Sequence, residues 1–221
     1  MKIPVVRNIL EANDAIAEHL KEMFKQKKIL ALNLMSSPGA GKTSLLERTL
    51  SDLKDEFKMA VIEGDLQTSN DAERVAATGA QAIQINTDGG CHLNSSMVRE
   101  AAAQLDLEGL DILFVENVGN LVCPAEFNVG EDHKVTLLSV AEGDDKPEKY
   151  PIMFVQSAIL LLNKTDLLPY VDFDLEKATR TAKTLNENLQ VFPISCRSGE
   201  GLGSWYEWLR LEVSRKRQAA G

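Results

Sequence analysis

The sequence predicts a three-layer α/β fold in which a mostly parallel sheet carries helices on both faces. Three observations predict it. Seven apolar runs, "ILALNLM", "MAVIEG", "AIQI", "DILFVEN", "KVTLLSV", "AILLLNKTD" and "QVFPIS", are distributed along the 221 residues. They are continuous rather than alternating, the pattern of strands buried on both sides. Segments with helical periodicity separate them, as crossover connections in a parallel sheet require.

Taken in order, the chain opens with an amphipathic segment, "NILEANDAIAEHLKEMFKQKK", in which Ile9, Ile16, Leu20, Met23 and Phe24 recur at helical spacing. This predicts a leading helix over about residues 8–27, ending in a solvated basic cluster. "ILALNLM" follows as a buried strand, then the turn "SSPGAGKT", then "TSLLERTLSDLKDEF" with helical periodicity. The later runs repeat the strand-to-helix alternation. The polar stretch 142–150, "EGDDKPEKY", is expected to be a long surface loop, and the terminal "SRKRQAAG" a frayed basic tail.

Composition bounds the function. With 44% hydrophobic and 26% charged residues, the 221-residue chain is expected to fold as one domain, residues 1–221. Its formal charge of −9 opposes attraction to a polyanion, so nucleic acid is not an expected partner. The longest nearly apolar run, 152–162, is shorter than the roughly 18 residues that span a bilayer. No membrane association is expected. The N-terminus shows no cleavable signal pattern, and a cytoplasmic location follows as an expectation. Three cysteines do not make a disulfide framework and are expected to be buried thiols or metal ligands.

"SSPGAGKT" carries the first functional signal. Backbone N–H groups at a strand-to-helix turn form a concavity that favours a polyphosphate, and glycines allow its close approach. Ser37, Pro38, Gly39, Ala40, Gly41, Lys42, Thr43 and Ser44 are the expected nucleotide-binding residues. Lys42 supplies a positive charge to the β- and γ-phosphates, and the Thr43 hydroxyl a ligand to Mg²⁺. Ser36 stands where the usual pattern has glycine, at a position where small size suffices. A plain strand-to-helix turn capped by Ser and Thr would share this composition. The flanking strand and helix and the Lys-Thr pair favour the phosphate loop, and with it the P-loop NTPase version of the three-layer fold.

The base is read from "LLLNKTD". Guanine presents N1–H and N2 amine donors side by side, so one carboxylate accepting both selects it over adenine. Asp166 is the candidate, with Asn163 on another edge of the base and the stem of Lys164 across its face. An ordinary Asn/Asp turn is the competing explanation. "ISCRSGEG" supplies a further base-contacting loop through Ser195, Cys196 and Arg197. The implied ligands are GTP and GDP.

Two strand ends bring acidic groups for the metal and the attacking water. Asp65, in "IEGDLQTSND", is expected at Mg²⁺ and ranks above Asp71, with a helix cap the alternative for either. Glu116 stands at the tip of "FVENVGN", with the N–H of Gly119 available to a γ-phosphate. Lys42, Thr43, Asp65, Glu116 and Gly119 are the candidate catalytic residues. Asn120 follows where a water-orienting Gln would stand in other GTPases, and the sequence offers no obvious arginine finger. Hydrolysis is therefore expected to be slow, on the order of 10⁻⁴ to 10⁻² per second.

"SSPGAGKTSLLE", "IEGD" with "ND", "GGCHL", "ENVGNLVCP" and "NKTD", in this order and over essentially the whole chain, resemble the HypB-type GTPases. These hydrogenase-maturation proteins lie within the signal-recognition and MinD-like class of P-loop GTPases. The resemblance implies a GTP-dependent homodimer that helps deliver nickel to [NiFe] hydrogenase. Its implied partners are a nickel-carrying accessory protein and the hydrogenase large-subunit precursor. It also implies a metal site at the subunit interface, with Cys91, His92 and Cys123 as ligands. The sequence contains neither the cysteine-rich N-terminal nickel motif nor the histidine-rich tract of some members, so the resemblance does not extend to N-terminal nickel storage. Thiolate and imidazole suit Ni²⁺ or Zn²⁺, and three donors per chain leave coordination to be completed by solvent or a second subunit. Buried thiols and a helix-capping His92 are the bland alternative.

Two other functions remain open at this point. One is a GTPase metallochaperone for another nickel enzyme, such as urease, although the Cys-Pro-His arrangement of that type is not in this sequence. The other is a non-enzymatic module in which nucleotide and metal only staple an interface.

Overall fold

A computed structural model describes residues 5–65 and 74–219, with the side chains of 10–64 and 74–219. Seven strands form one sheet, all parallel: β1 (Leu30–Ser36), β2 (Met59–Asp65), β3 (Gln81–Asn86), β4 (Ile112–Glu116), β5 (His133–Ser139), β6 (Ile159–Asn163) and β7 (Gln190–Pro193). Each coincides with one of the seven apolar runs. Their spatial order is β3-β2-β4-β1-β5-β6-β7. The helices described from end to end are α1 (Val5–Gln26), α2 (Lys42–Leu53), α3 (Ser95–Ala102), α4 (Cys123–Glu126), α5 (Lys146–Lys149), α6 (Pro151–Gln156), α7 (Leu175–Leu185) and α8 (Leu202–Ala219), and residues 74–76 are also helical.

Strand periodicity splits the core between two faces. Leu30, Leu32 and Leu34 of β1 point to one side with Phe114, Val135 and Leu161, and pack under α2 and α8 through Leu46, Leu50, Trp205 and Leu209. Ala31 points to the other side, where α1 and α3 cover Ile62, Leu113 and Val115 with Leu20, Phe24 and Val98. Met35 and Leu160 continue that second side beneath Phe154 of α6 and Ala182 of α7. Covering both faces is what the continuous apolar runs require, since an alternating strand would leave one face to water. Among the described residues no helix is long and apolar enough to cross a membrane.

α1 sits close to the sheet because Gly130 has no side chain. At φ +89°, a Cβ there would lie 2.5 Å from Leu20 Cβ and 3.2 Å from Ala17 O of the helix. The predicted span of about 8–27 and the observed Val5–Gln26 differ by the few residues that helix ends usually leave open.

Two segments differ from expectation. The stretch read as a loop, 142–150, contains helix α5 and enters it through a 3₁₀ turn, Val140–Glu142. Ser139 and Glu142 form a reciprocal capping box there, and Pro147 occupies the first turn of α5. The tail read as frayed stays helical through Ala219 because its basic residues find fixed carboxylates. Lys216 Nζ lies 2.6 Å from Asp132 Oδ1, Arg217 Nη2 2.6 Å from Asp111 Oδ1, and Arg215 Nη1 2.5 Å from Glu212 Oε1.

Candidate functional site: a nucleotide cleft beside a thiol and imidazole cluster

The carboxyl ends of the central strands converge where β1 passes into α2. Gly39 (φ +77°) and Gly41 (φ +105°) give the intervening loop its left-handed turns, and α2 begins directly at Lys42. Gly41 has a second reason to be glycine: a Cβ would stand 2.5 Å from Asn163 Nδ2. Gly119 likewise lets the loop after β4 pass over Pro38, whose Cα would lie 3.0 Å from an added Cβ. The backbone of the "ENVG" segment is therefore seated directly on the phosphate loop.

The side chains expected at the polyphosphate meet in one cavity of about 400 Å³, lined by Lys42, Thr43, Ser44, Glu63, Glu116 and Gly119 among others. Lys42 Nζ donates to Ser36 Oγ at 2.9 Å, so the serine in the glycine position holds the ammonium group at the cavity wall. Thr43 Oγ1 donates to Glu116 Oε1 at 3.1 Å, which places the expected Mg²⁺ hydroxyl and carboxylate side by side. Such a pair suits a hard, oxygen-seeking cation. Glu63 of β2 stands opposite Glu116 of β4 in the sheet register and brings a second buried carboxylate to the same wall. Ser37 Oγ donates to Glu142 Oε2, tying the loop to the turn after β5. Asp65 ends β2, but its side chain lies outside the described residues, as does all of Asp71.

A second cavity of about 510 Å³ adjoins the first; Gly41, Ser44 and Lys164 line both. Of the residues expected at the base, Asn163, Lys164, Asp166, Cys196 and Arg197 line it, and Ser195 is buried behind Asp166. Asp166 Oδ1 accepts a hydrogen bond from Ser195 Oγ at 2.6 Å, so residues 29 positions apart in sequence meet at one wall. Ser195 Oγ also accepts from Ser198 N at 3.1 Å, which closes the loop. Asn163 serves the frame of the site: its amide donates to Ala40 O at 2.9 Å and accepts from Cys196 N at 3.2 Å. Lys164 adopts φ +64° and its ammonium donates to Gly39 O at 2.7 Å, laying its stem along the join between the cavities. Burial raises the Cys196 thiol to about 11, which keeps it protonated and unreactive at neutral pH. Arg197 also lines this cavity.

Beyond Gly119 the chain enters the sulfur-bearing cluster. Cys91, His92 and Cys123 each offer a ligand atom within 4.8 Å of the others, the one such group of three His, Cys, Asp or Glu side chains among the described residues. Cys91 Sγ donates to Cys123 Sγ at 3.0 Å and lies 3.4 Å from His92 Nδ1. The hydrogen bond with Cys91, followed by burial, raises the Cys123 thiol above its ordinary value. Burial lowers the His92 imidazole, with Glu126 acting in the opposite direction, so the ring is neutral and has a lone pair to give at pH 7. His92 stacks on Phe127 at 3.8 Å between ring centroids, which fixes its plane. Two thiols and a neutral imidazole at this separation suit a borderline-soft divalent ion.

The residues that mount this cluster were not legible in the sequence. Asn120 Oδ1 accepts from Val122 N at 2.7 Å and Cys123 N at 3.2 Å, making the turn that presents Cys123 at the start of α4. Lys134 of β5, buried, donates to Ala125 O at 2.6 Å and holds α4 from below. Its ammonium pKa is lowered by burial, opposed by Glu131. Asn117 follows Glu116 and takes Leu93 N at 2.9 Å, fixing the residue after His92. Asn117 Nδ2 in turn donates to Asn33 Oδ1 at 3.1 Å inside the sheet. Asn13 of α1 accepts from Ser95 N at 2.9 Å and donates to Asn128 O at 2.9 Å, bridging the segments on either side of the cluster. Each of these asparagines looks in sequence like a turn or helix-face residue; burial marks Asn13, Asn33 and Asn117, and Asn120 is marked by its bonds to the α4 turn.

Residues 30–193 match the family model described as CobW/HypB/UreG, nucleotide-binding domain. The hydrogenase maturation factor HypB of Escherichia coli (strain K12) is 53% identical over 205 residues, covering 93% of this chain and 71% of that protein. The chain belongs to the HypB family. Solved structures agree in fold. HypB from Helicobacter pylori in complex with nickel superposes with a TM-score of 0.86 at 39% identity, covering 95% of this chain and 97% of that one. HypB from Archaeoglobus fulgidus gives a TM-score of 0.87 at 35% identity, covering 92% of this chain and all of that one, 100%. The resemblance carried by "SSPGAGKTSLLE", "GGCHL" and "ENVGNLVCP" is therefore that of a family member, and the cleft lies within the matched CobW/HypB/UreG nucleotide-binding domain.

Proposed function

We propose that the chain is a GTP-binding, slowly GTP-hydrolysing metallochaperone that dimerises with GTP and delivers Ni²⁺ during [NiFe] hydrogenase maturation. The observation that carries the reading is the sharing of one short segment between two sites. Glu116 touches Thr43 in the phosphate cavity at 3.1 Å, and Cys123, seven positions on, touches Cys91 at 3.0 Å. A nucleotide-driven change in the intervening loop reaches a metal ligand directly.

In this reading the N–H groups of the loop 37–44 and the Lys42 ammonium hold the polyphosphate, and Asp166 accepts the two guanine donors. Thr43, Asp65 and Glu116 would hold Mg²⁺, which when bound would supply positive charge beside the phosphates. Gly119 N–H meets the γ-phosphate and is the sensor of its loss. Cys91, His92 and Cys123 carry Ni²⁺ as cargo, with Zn²⁺ the competing ion of the same preference. The site offers three donors per chain, and a second subunit across a dimer interface completes it. The partners are then a nickel-carrying accessory protein and the hydrogenase large-subunit precursor, in the cytoplasm.

Sizing by light scattering tests several links at once, with GDP or a non-hydrolysable GTP analogue and with or without Ni²⁺. A dimer that forms with the analogue and binds Ni²⁺ differently from the GDP form is the expected result. Identical mass and Ni²⁺ affinity in all four conditions would remove the delivery function. Turnover of Lys42→Ala against the unaltered chain separates an enzyme from a non-enzymatic nucleotide-stapled module.

A further inference from the structure

We propose that Arg74 is an intrinsic clamp on the α-phosphate of the bound nucleotide, a second phosphate-binding cation outside the loop motifs. The inference rests on the guanine-nucleotide reading above and extends it to a residue that no motif marks. Arg74 lines the phosphate cavity together with Lys42, Thr43 and Glu116. Its guanidinium forks onto Glu47, with Nε 3.0 Å from Oε1 and Nη2 2.6 Å from Oε2, and Nη2 lies 3.4 Å from Ser44 Oγ.

The position of Ser44 decides which phosphate is addressed. Thr43 and Glu116 mark the metal end of the cleft, and Asp166 with Ser195 marks the base end. Ser44 lines both cavities and so stands at their join. The α-phosphate and ribose must cross that join if the base and the γ-phosphate occupy the two ends. A cation 3.4 Å from Ser44 Oγ is therefore over the α-phosphate, one residue along α2 from the hydroxyl assigned to Mg²⁺.

Electrostatics favour the exchange of partners. The Arg74 and Glu47 side chains are 43% and 33% exposed, and ion pairs this open to water contribute little to folding. A phosphate offers the same planar fork of donors a stronger, charge-assisted pair of bonds. Glu47 lies one helical turn beyond Thr43, so the present pair keeps the guanidinium above the first turn of α2, within reach of the ligand. The chain carries a net charge of −9 and gives a polyanion no long-range attraction, which makes a second local cation valuable.

An α-phosphate clamp and a γ-phosphate arginine finger differ in what their removal does. The α-phosphate is common to GDP and GTP, so loss of the clamp weakens both alike and appears in KM more than in kcat. Loss of a γ-phosphate finger lowers kcat and spares GDP. Calorimetry with Mg²⁺-GDP and a Mg²⁺-bound non-hydrolysable GTP analogue, alongside steady-state hydrolysis, tests this on the whole chain with Arg74→Ala and Arg74→Lys. Arg74→Ala is expected to weaken both nucleotides by on the order of 10- to 100-fold, the range for bonds to a charged group. Arg74→Lys recovers part of that loss because an ammonium group cannot fork. Unchanged GDP affinity in Arg74→Ala, or a loss confined to the analogue and to kcat, overturns the clamp. If the unaltered chain binds no guanine nucleotide, the underlying function fails; if it binds and Arg74→Ala binds equally well, only the clamp fails.

Discussion

Gly41 and Asn163 constrain one another across 122 positions of sequence. The glycine holds a left-handed φ of +105° and leaves no room for a Cβ beside the asparagine amide, which donates to Ala40 O. Gly41→Ala is expected to displace Asn163 and strain the loop together, at about 1–3 kcal/mol in stability. Nucleotide affinity should fall at least tenfold, measured by calorimetry, with the melting temperature reporting the strain separately. Sequence alone identified Gly41 as a phosphate-loop glycine, from the need for close backbone approach. It did not identify the clash with Asn163, nor the bonds of Asn163 to Ala40 and Cys196 that frame the loop. Lys42, Thr43, Glu116 and Asp166 were legible as candidates because each expected role demands one residue type at a fixed place at or after a buried strand. Arg74, Asn117 and Asn120 were not, because an arginine on an exposed surface or an asparagine in a turn has the same sequence signature whether or not it serves a site.

At the scale of elements, α4 shows how little regular structure a ligand needs. Its four residues form no independently stable helix, and its position depends on Asn120 at its start and Lys134 beneath it. Asn120→Ala removes the acceptor for Val122 N and Cys123 N and leaves Cys123 itself untouched. Groups that orient metal ligands commonly contribute 10- to 100-fold in affinity, so Ni²⁺ titration of this variant should show a loss of about tenfold or more. A titration that overlays the unaltered chain would place Cys123 outside the metal site or show that its turn is irrelevant. At α1, Gly130→Ala would drive a methyl group into Leu20 and the helix backbone. Combining a disfavoured φ with overpacking, it is expected to lower stability by about 2–4 kcal/mol, read by urea unfolding, through loosening of α1. The seven strands and the leading helix were legible as elements because hydrophobic periodicity is a local record of burial. Helix α5 and the helical tail were not, because a capping box and ion pairs with distant Asp132 and Asp111 stabilise them.

For the whole molecule, the cavity at the phosphate loop and the cluster of Cys91, His92 and Cys123 lie on consecutive pieces of chain after β4, so the proposed coupling would be built into the fold. Cys91→Ala and Cys123→Ala, titrated with Ni²⁺ in the presence of GDP and of a GTP analogue, should each lose the nucleotide dependence of metal binding. The unaltered chain should keep it. Lys42→Ala should lose nucleotide affinity and, with it, any nucleotide-driven change of mass in solution. What the sequence by itself determined was the three-layer architecture and, as candidates, the phosphate loop, a carboxylate for the base and three soft donors for a metal. These are local facts: a burial pattern of period one or two, or a residue type required at a fixed distance from a strand end. Only the tertiary structure decided the strand order β3-β2-β4-β1-β5-β6-β7, which sets β4 beside β1 and so brings Glu116 to Thr43 across 73 positions. It also decided the meeting of Cys91 with Cys123 across 32 positions and the placing of Arg74 over the join of the cleft. The reason is physical: which distant surfaces pack together depends on the summed burial of whole helices and strands, and no short stretch of sequence contains that sum.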